Sequence, residues 1–419
     1  MGENSEAICT IRIYHPLTET EYLKLKGEPI DVLHLHEWHT ALCAPLVKTA
    51  LKELQIGSVL LTIHNLEYQG RCAPWDLDAI GLKGKDYLKP HLLQDDDPAL
   101  PNTLNLLKGG IVFADAVNTV SPTYAREIIV PGRGFGLDKT LMKQKKKLSG
   151  ILNGIDQKLW NPETDPLIKT HYSSNDSLVK IQLAKGQNRA DLEKRFNIPA
   201  NKQPWVGCVT RIVPQKGPEL LEEAIHYTLS QGGVFTLLGS SPIPELQRHF
   251  EELKEKYINR PELVIECNYD EALAHKIYTS LDFVVIPSHF EPCGLAQLIA
   301  MRYGTIPIAR ATGGLKDTVF DCNDHTVPAS KRNGFSFEKA TSAGIIEALK
   351  RAFELQKNDP ATFQSLLRRA IQSDFSWKKP AQQYMKLYQK IAGRESSSNT
   401  GGSSLGQVIN FREMYKQET

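Results

Sequence analysis

The sequence predicts an α/β protein whose open parallel sheets are built from repeated strand–loop–helix units. Two such units follow one another between Leu281 and Phe320. Phe283–Ile286 and Ile306–Ala309 are short, continuous apolar runs, the pattern of strands buried on both faces. A polar loop and a helix-like run follow each, the first helix beginning near Gly294 and the second after Thr312-Gly-Gly. The third observation is where the polar residues fall. Glu291 and the pair Gly313-Gly314 come just after strand ends, and open α/β sheets bind ligands along that carboxyl edge.

The chain has 419 residues, enough for two domains with cores of their own. Its 41% apolar and 23% charged content is that of an ordinary globular protein. Fifty Lys and Arg against 48 Asp and Glu leave a net charge of +2, which argues against a nucleic-acid-binding surface. The one basic cluster, Lys143 with Lys145, Lys146 and Lys147, reads as a solvated face. Seven cysteines are scattered without C-x-x-C spacing, so neither a zinc site nor a redox motif is indicated and a reducing compartment fits. No apolar run reaches membrane-span length, and the N-terminus lacks a secretory core. Met1-Gly2 is not a myristoylation start, because Glu6 stands where Ser or Thr is required.

In chain order, residues 1–30 yield only an amphipathic piece around Glu19–Leu25. Ile30–His36 is a strand ending in Glu37-Trp-His-Thr, with a helix from Ala41 to Leu54. Ser58–Ile63 is the next strand, ending in His64-Asn-Leu-Glu-Tyr-Gln-Gly. Residues 71–104 hold four prolines and Asp95-Asp-Asp, and read as an irregular excursion, either a lid or specificity segment or a mobile insertion. Leu104–Ala114 is a helix and Ala116–Val120 a strand; Ser121-Pro122 then caps a helix. Leu148–Leu152 closes this domain and runs into the turn Asn153-Gly-Ile-Asp.

Residues 156–200 are polar and loosely patterned, and read as an interdomain connection with a helix from about Ser177 to Phe196. The second domain opens on the strand Trp205–Val209, followed by Thr210-Arg-Ile-Val-Pro-Gln-Lys-Gly. An Arg211 fork and a Lys216 point charge around that loop suit a diphosphate, with Gly217 admitting the backbone; two solvated bases are the plain alternative. Val234–Leu238 and Leu263–Glu266 are strands, the first followed by Gly239-Ser-Ser-Pro and the second by a helix starting at Tyr269-Asp-Glu. Beyond the organising stretch come Asn333–Phe337, then helices at Ser342–Gln356, Gln364–Gln372 and Ala381–Ala392. Glu395–Gly406 is rich in Ser, Gly and Asn and reads as disordered, with the last dozen residues. The expected domains are thus 1–155, a connection over 156–200, 201–375, a C-terminal helix over 376–394 and a disordered tail over 395–419.

The two organising loops suggest different chemistry. Gly313-Gly314 at a helix start lets backbone N–H groups close on an anion. Glu291 cannot serve a phosphate, but it can accept hydrogen bonds from sugar hydroxyls. Either loop alone reads rather as a plain turn; consecutive units carrying both favour the functional reading.

Several segments together resemble glycogen and starch synthases, the ADP-glucose-using glycosyltransferases of the GT-B fold, most of all the plant-type soluble starch synthases. They are His34-Leu-His-Glu-Trp-His-Thr-Ala, Thr62-Ile-His-Asn-Leu-Glu-Tyr-Gln-Gly, Val120-Ser-Pro-Thr-Tyr-Ala-Arg-Glu and Gly150-Ile-Leu-Asn-Gly-Ile-Asp, then Thr210-Arg-Ile-Val-Pro-Gln-Lys-Gly. Leu237-Leu-Gly-Ser-Ser-Pro, Pro287-Ser-His-Phe-Glu-Pro-Cys-Gly-Leu and Tyr303-Gly-Thr-Ile-Pro-Ile with Thr-Gly-Gly-Leu complete the set, covering Ile30 to Trp377 in the family's order. The resemblance implies two Rossmann-like domains facing a cleft, and a retaining transfer of glucose from ADP-glucose to the non-reducing end of an α-1,4-glucan.

By the same resemblance Arg211 and Lys216 neutralise the leaving diphosphate, and the backbone at Thr312, Gly313, Gly314 and Leu315 also holds phosphate. Glu291, with the amides of Cys293 and Gly294, grips the glucose hydroxyls, and the base lies near Tyr269. His64 and Asn153 lie on the sugar's other side, supplied by the first domain, and Glu37 is a further substrate-side residue. No cofactor or metal is expected, since the basic pair does a metal's work. The acceptor attacks on the face from which the diphosphate leaves, deprotonated by the leaving phosphate. The helix after Trp377 crosses back to the first domain. The partners implied are ADP-glucose and an α-1,4-glucan, with no nucleic acid or membrane; the compartment is cytoplasm in a bacterium and plastid stroma in a plant or alga.

Three departures stand out. The family's N-terminal Lys-x-Gly-Gly-Leu loop is missing and the first domain is expected to be incomplete, without the strands that should precede Asp31. Glu37 replaces the family's usual Asp, and Ile299 stands where related transferases carry a second Glu. Two readings therefore remain open: a working synthase, or an impaired or non-catalytic glucan-binding paralogue or enzyme fragment. Another GT-B transferase, making sucrose or trehalose phosphates, is disfavoured by the Glu-Pro-Cys-Gly-Leu wording.

Overall fold

Two six-stranded, all-parallel sheets organise the computed structural model, which describes residues 29–200 and 203–393 in full and the strands Ile8–Ile11 and Val408–Asn410 by their backbone pairing. The chain divides into two units. One comprises Met1–Leu152 with Lys379–Thr419, the other Asn153–Lys378.

In the first unit the strand order is Val408–Asn410, Ile8–Ile11, Ile30–His36, Ile56–Ile63, Ala116–Thr119, Leu148–Gly150. The inner strands read as unbroken apolar runs because helices cover both faces. Leu33, Leu35, Leu61 and Ile63 point to one core with Ala41, Leu107 and Ile111. Val32, Leu60 and Ala116 lie on the opposite face, against Tyr384, Leu387 and Tyr388 of the helix Lys378–Ile391.

Four expectations for this unit change. Residues before Asp31 do supply a strand, since Ile8–Ile11 pairs in register with Val32–Leu35. Val408–Asn410, placed by composition in a disordered tail, pairs with Ile8–Thr10; the remainder of that tail and the Glu19–Leu25 piece lie outside the described residues. The helix expected over Ala41–Leu54 is two short ones, Glu37–Ala41 and Cys43–Thr49. Pro45 falls in the first turn of the second, where its missing N–H costs nothing. The excursion over 71–104 is irregular after Tyr87, as expected, but it is not loosely held. Arg71–Cys72 pairs antiparallel with Leu104–Asn105, where a longer helix was expected. Asp95 accepts hydrogen bonds from Arg71 Nε at 2.7 Å and Asn105 Nδ2 at 2.9 Å. Lys108, 1% exposed, donates to the carbonyls of Pro90 and Gln94 and to Asp96.

The second sheet has the order Leu263–Glu266, Val234–Leu238, Trp205–Val209, Phe283–Ile286, Ile306–Arg310, Phe335–Phe337. Numbered by sequence within the unit, this is 3-2-1-4-5-6, a doubly wound sheet. Its direction of winding reverses between Trp205–Val209 and Phe283–Ile286, so the loops after those two strands diverge and leave a crevice. Residues 156–200 are an integral part of this unit and not a connection. Tyr172, Ile181, Ala184 and Leu192 are buried in its core, and the buried Asp165 receives Tyr303 Oη and His275 Nδ1. Ser177 caps the helix Leu178–Phe196 through Lys180 N. The boundary also shifts, leaving Asn153 with the second unit: Ile155 N–H donates to Phe375 O, and Gly154 abuts the Ser376–Trp377 backbone. Among the described residues no helix is long and apolar enough to cross a membrane.

Lys108→Ala strips three acceptors of their donor and leaves Asp96 without its cation. The expected outcome is a loss of about 3 kcal/mol of stability in urea unfolding, with faster proteolysis within residues 71–104. An unchanged midpoint and cleavage pattern would show that the lysine does not hold the excursion.

Candidate active site

At the crevice of the second sheet the two diverging loops are tied by one ion pair. Lys216 Nζ lies 2.6 Å from Glu291 Oε2, and Ser288 Oγ donates to the same oxygen at 2.9 Å. Glu291 is 5% exposed, so its charge has left water and depends on these two donors. Backbone bonds reinforce the junction: His289 N–H donates to Gln215 O at 2.8 Å and Gln215 Nε2 to Phe290 O at 3.2 Å. Gly217, with φ of +66°, is where the first loop passes the carbonyl of Pro287; an added Cβ would lie 2.5 Å from that oxygen.

The glycine pair closes the other side. A Cβ on Gly313 would lie 1.9 Å from Glu291 O, and one on Gly314 would lie 2.0 Å from Cys293 O. Both glycines are therefore required for the Thr-Gly-Gly loop to lie against the Glu-Pro-Cys loop. Part of the backbone expected to hold phosphate is engaged within the protein. Gly314 N–H donates to Glu291 O, and Leu315 N–H to Thr312 O, each at 3.0 Å, so neither points at a bound anion. Thr312 and Leu315 are buried; Gly294 takes φ of +71° beside Gln297. Burial pushes the Cys293 thiol up to about 12, which removes it as a nucleophile. Asn153, expected from the first domain, places its backbone beside that thiol instead.

Arg211 is exposed and lines a cavity of about 290 Å³ with Thr210, Gly239, Ser240, Tyr269 and Trp160. Tyr269 is 83% exposed, and Trp160 stacks on His275 with ring centroids 4.0 Å apart. The cavity pairs aromatic side chains with an arginine in its lining. Trp160 was not singled out in the sequence, where it lies in a polar stretch without a strand or helix pattern.

In the first unit, His64 and Glu37 meet at the carboxyl edge of adjacent strands. Glu37 takes a φ of +63°, unusual for a side-chain-bearing residue, at the corner between strand and helix. The corner turns its carboxylate onto the next loop, where Oε1 accepts the N–H groups of His64 and, at 2.9 Å, Asn65. Burial raises the Glu37 carboxyl to about 7 and outweighs the opposing hydrogen bonds from Asn65 and His64. His36 Nδ1 lies 3.0 Å from His64 Nε2. His36 was not among the expected site residues, although two neighbouring strand ends that each carry a histidine were a readable signal. Among the described residues no group of three or more His, Cys, Asp and Glu is arranged to hold a metal ion.

Two stability measurements check this geometry. Gly314→Ala is expected to cost about 3 kcal/mol, because the added Cβ would meet the Cys293 backbone, which cannot swing aside. For Glu37 the folded value of about 7 lies above the free value of 4.5, so the folded state binds the extra proton between those limits. Its contribution to stability is therefore greatest below pH 4.5 and falls as pH rises to 7, by on the order of 3 kcal/mol. Glu37→Gln should remove that slope from the pH dependence of unfolding; an unaltered slope would contradict the buried carboxyl.

Residues 17–143 match the family described as Starch synthase catalytic domain, and residues 190–365 match Glycosyl transferases group 1. A glycogen synthase of Protochlamydia amoebophila is 41% identical over 389 residues, 91% of this chain and 77% of that protein. A probable starch synthase 4 of Arabidopsis thaliana is 43% identical over 91% of this chain and 36% of its own length. Among solved structures, the catalytic domain of Arabidopsis starch synthase IV, bound to ADP and acarbose, superposes with a TM-score of 0.84 at 43% identity, covering 90% of this chain and 76% of that one. A sucrose-phosphate synthase of Thermosynechococcus elongatus shares the fold, with a TM-score of 0.56 at 22% identity. With its GT-B architecture and this level of identity along most of its length, the chain belongs to the glycogen and starch synthase family of glycosyltransferases.

Proposed function

We propose that the chain transfers glucose from ADP-glucose to the non-reducing end of an α-1,4-glucan, with retention of configuration. The observation that carries this reading is the Lys216–Glu291 pair at the reversal point of the second sheet, beside the cavity lined by Arg211 and Tyr269. An ammonium has three N–H donors, and the Glu291 contact uses one, so Lys216 can hold the carboxylate and a phosphate oxygen together. Arg211 supplies the second positive charge. A diphosphate between these two bases places its sugar over the Glu291 loop, where the carboxylate and the amides of Cys293 and Gly294 are available to hydroxyls. The nucleoside then occupies the 290 Å³ cavity against Tyr269 and Trp160.

In this reading His64 acts on the sugar from the first unit, and Glu37 holds the His64–Asn65 backbone. Departure of the diphosphate is the charge-developing step, so preorganised positive charge lowers its barrier. Arg211 and Lys216 carry the role that a divalent metal plays elsewhere, and the departing phosphate takes the acceptor's proton. The resemblance of the supporting segments to ADP-glucose-using enzymes gives the donor.

The test is incorporation of labelled glucose from ADP-glucose, with UDP-glucose in parallel, into malto-oligosaccharides. Glu291→Ala and Lys216→Ala are each expected to lower kcat at least about 100-fold, the scale of losing one preorganised charge contact, and EDTA to leave the rate unchanged. Incorporation that survives Glu291→Ala would overturn the site assignment. A folded wild-type protein that binds glucan yet incorporates nothing would replace catalysis with glucan binding.

A further inference from the structure

The histidine proposed to face the sugar is not held by its own loop alone. His64 Nε2 bonds His36 Nδ1 at 3.0 Å, and the two rings stack with centroids 5.3 Å apart. His36 in turn lies against His34, ring centroids 4.1 Å apart. His34 is 2% exposed and is gripped at both nitrogens: Nε2 lies 2.7 Å from Thr62 Oγ1, and Nδ1 lies 2.8 Å from the hydroxyl of Tyr388. A row of three imidazoles thus runs from the carboxyl edge of the first sheet back along its strands. It ends on a residue more than 300 positions away in sequence.

Tyr388 belongs to the helix Lys378–Ile391, which Ser58 Oγ anchors at Ile391 O, at 2.7 Å, and Asn118 Nδ2 at the Tyr384 hydroxyl, at 2.9 Å. The Tyr384 ring also packs beside His34, its centroid 5.6 Å away as that of Tyr388 is, but its hydroxyl accepts from Asn118. The Tyr388 hydroxyl does something else. A buried imidazole with one nitrogen bonded can still swing about its ring bond, and bonding the second nitrogen fixes the ring plane. His36 packs on that plane, and His64 is bonded to His36.

We propose that Tyr388 is a positioning residue for His64: through the ordered His34 and His36 rings, docking of the C-terminal helix sets the orientation of the His64 imidazole. The proposal rests on the reading of His64 as a substrate-facing residue. It assigns the C-terminal helix a part in turnover as well as in stability.

The experiment compares Tyr388→Phe with Tyr384→Phe in the full chain. Each removes one hydroxyl from the same helix. Both are expected to lower the melting temperature to a similar extent. Tyr388→Phe alone should lower kcat, by about fivefold, the scale of one lost hydrogen bond, with KM for ADP-glucose changed less than about twofold. In a His36→Ala background Tyr388→Phe should have no further effect on kcat, because the link it acts through is gone. Equal kcat losses in both Phe variants, no loss in Tyr388→Phe, or additivity with His36→Ala would each overturn the proposal. His64→Ala distinguishes the underlying reading: if it retains full kcat, His64 does not face the sugar, whatever Tyr388→Phe does. NMR of the histidine ring signals gives a readout without turnover. The His36 and His64 resonances should move in Tyr388→Phe and stay in place in Tyr384→Phe; unmoved signals would overturn the coupling.

Discussion

The ion pair between Lys216 and Glu291 is the constraint on which the second unit's site depends. The two residues are 75 positions apart and leave from the strands on either side of the point where the sheet's winding reverses. A carboxylate 5% exposed is unfavourable alone, and removing its partner would leave a desolvated charge. The pair therefore fixes both loops, and with them the positions of Arg211, Cys293 and Gly294. Ser288 supplies a second donor to the same oxygen, so the carboxylate is held in orientation as well as in place.

Around this pair the backbone is packed more closely than side chains allow. Gly217, Gly313 and Gly314 each sit where a Cβ would meet a carbonyl oxygen at 2.5 Å or less. The Gly314 amide is drawn into a loop-to-loop hydrogen bond with Glu291 O, which gives this glycine a structural part. The first unit uses strain differently. Glu37 accepts a left-handed backbone and a buried carboxyl, and in return its oxygen fixes the His64–Asn65 turn. The cost of both features is offset by an otherwise well-packed sheet.

Much of the fold was legible because it is local. Phe283–Ile286, Val234–Leu238 and Trp205–Val209 have the bounds read from their apolar runs, since a strand buried on both faces leaves little choice of residue. The helix Leu178–Phe196 falls within a residue of the bounds expected for it. What failed was non-local. The segment carrying Asp95–Asp97 read as a lid or a mobile insertion, yet Arg71, Asn105 and Lys108 hold its acidic run inward. Residues 156–200 looked like a connection because their apolar residues are sparse, though those few fill the second unit's core. Ile8–Ile11 and Val408–Asn410 carry too weak a pattern to be read without the neighbour each pairs with.

The sequence by itself determined the repeated strand–loop–helix units, the placement of Arg211, Lys216, Glu291 and His64 at strand ends, and the family likeness. Each depends on residue order over a few positions. Only the tertiary structure decided that Lys216 meets Glu291, that the Gly314 and Leu315 amides are already engaged, and that Asn153 belongs with the second unit. It alone joined Tyr388 to the histidines that lead to His64. These are meetings of segments distant in the chain, set by sheet order and close packing, and no local pattern of residues encodes them.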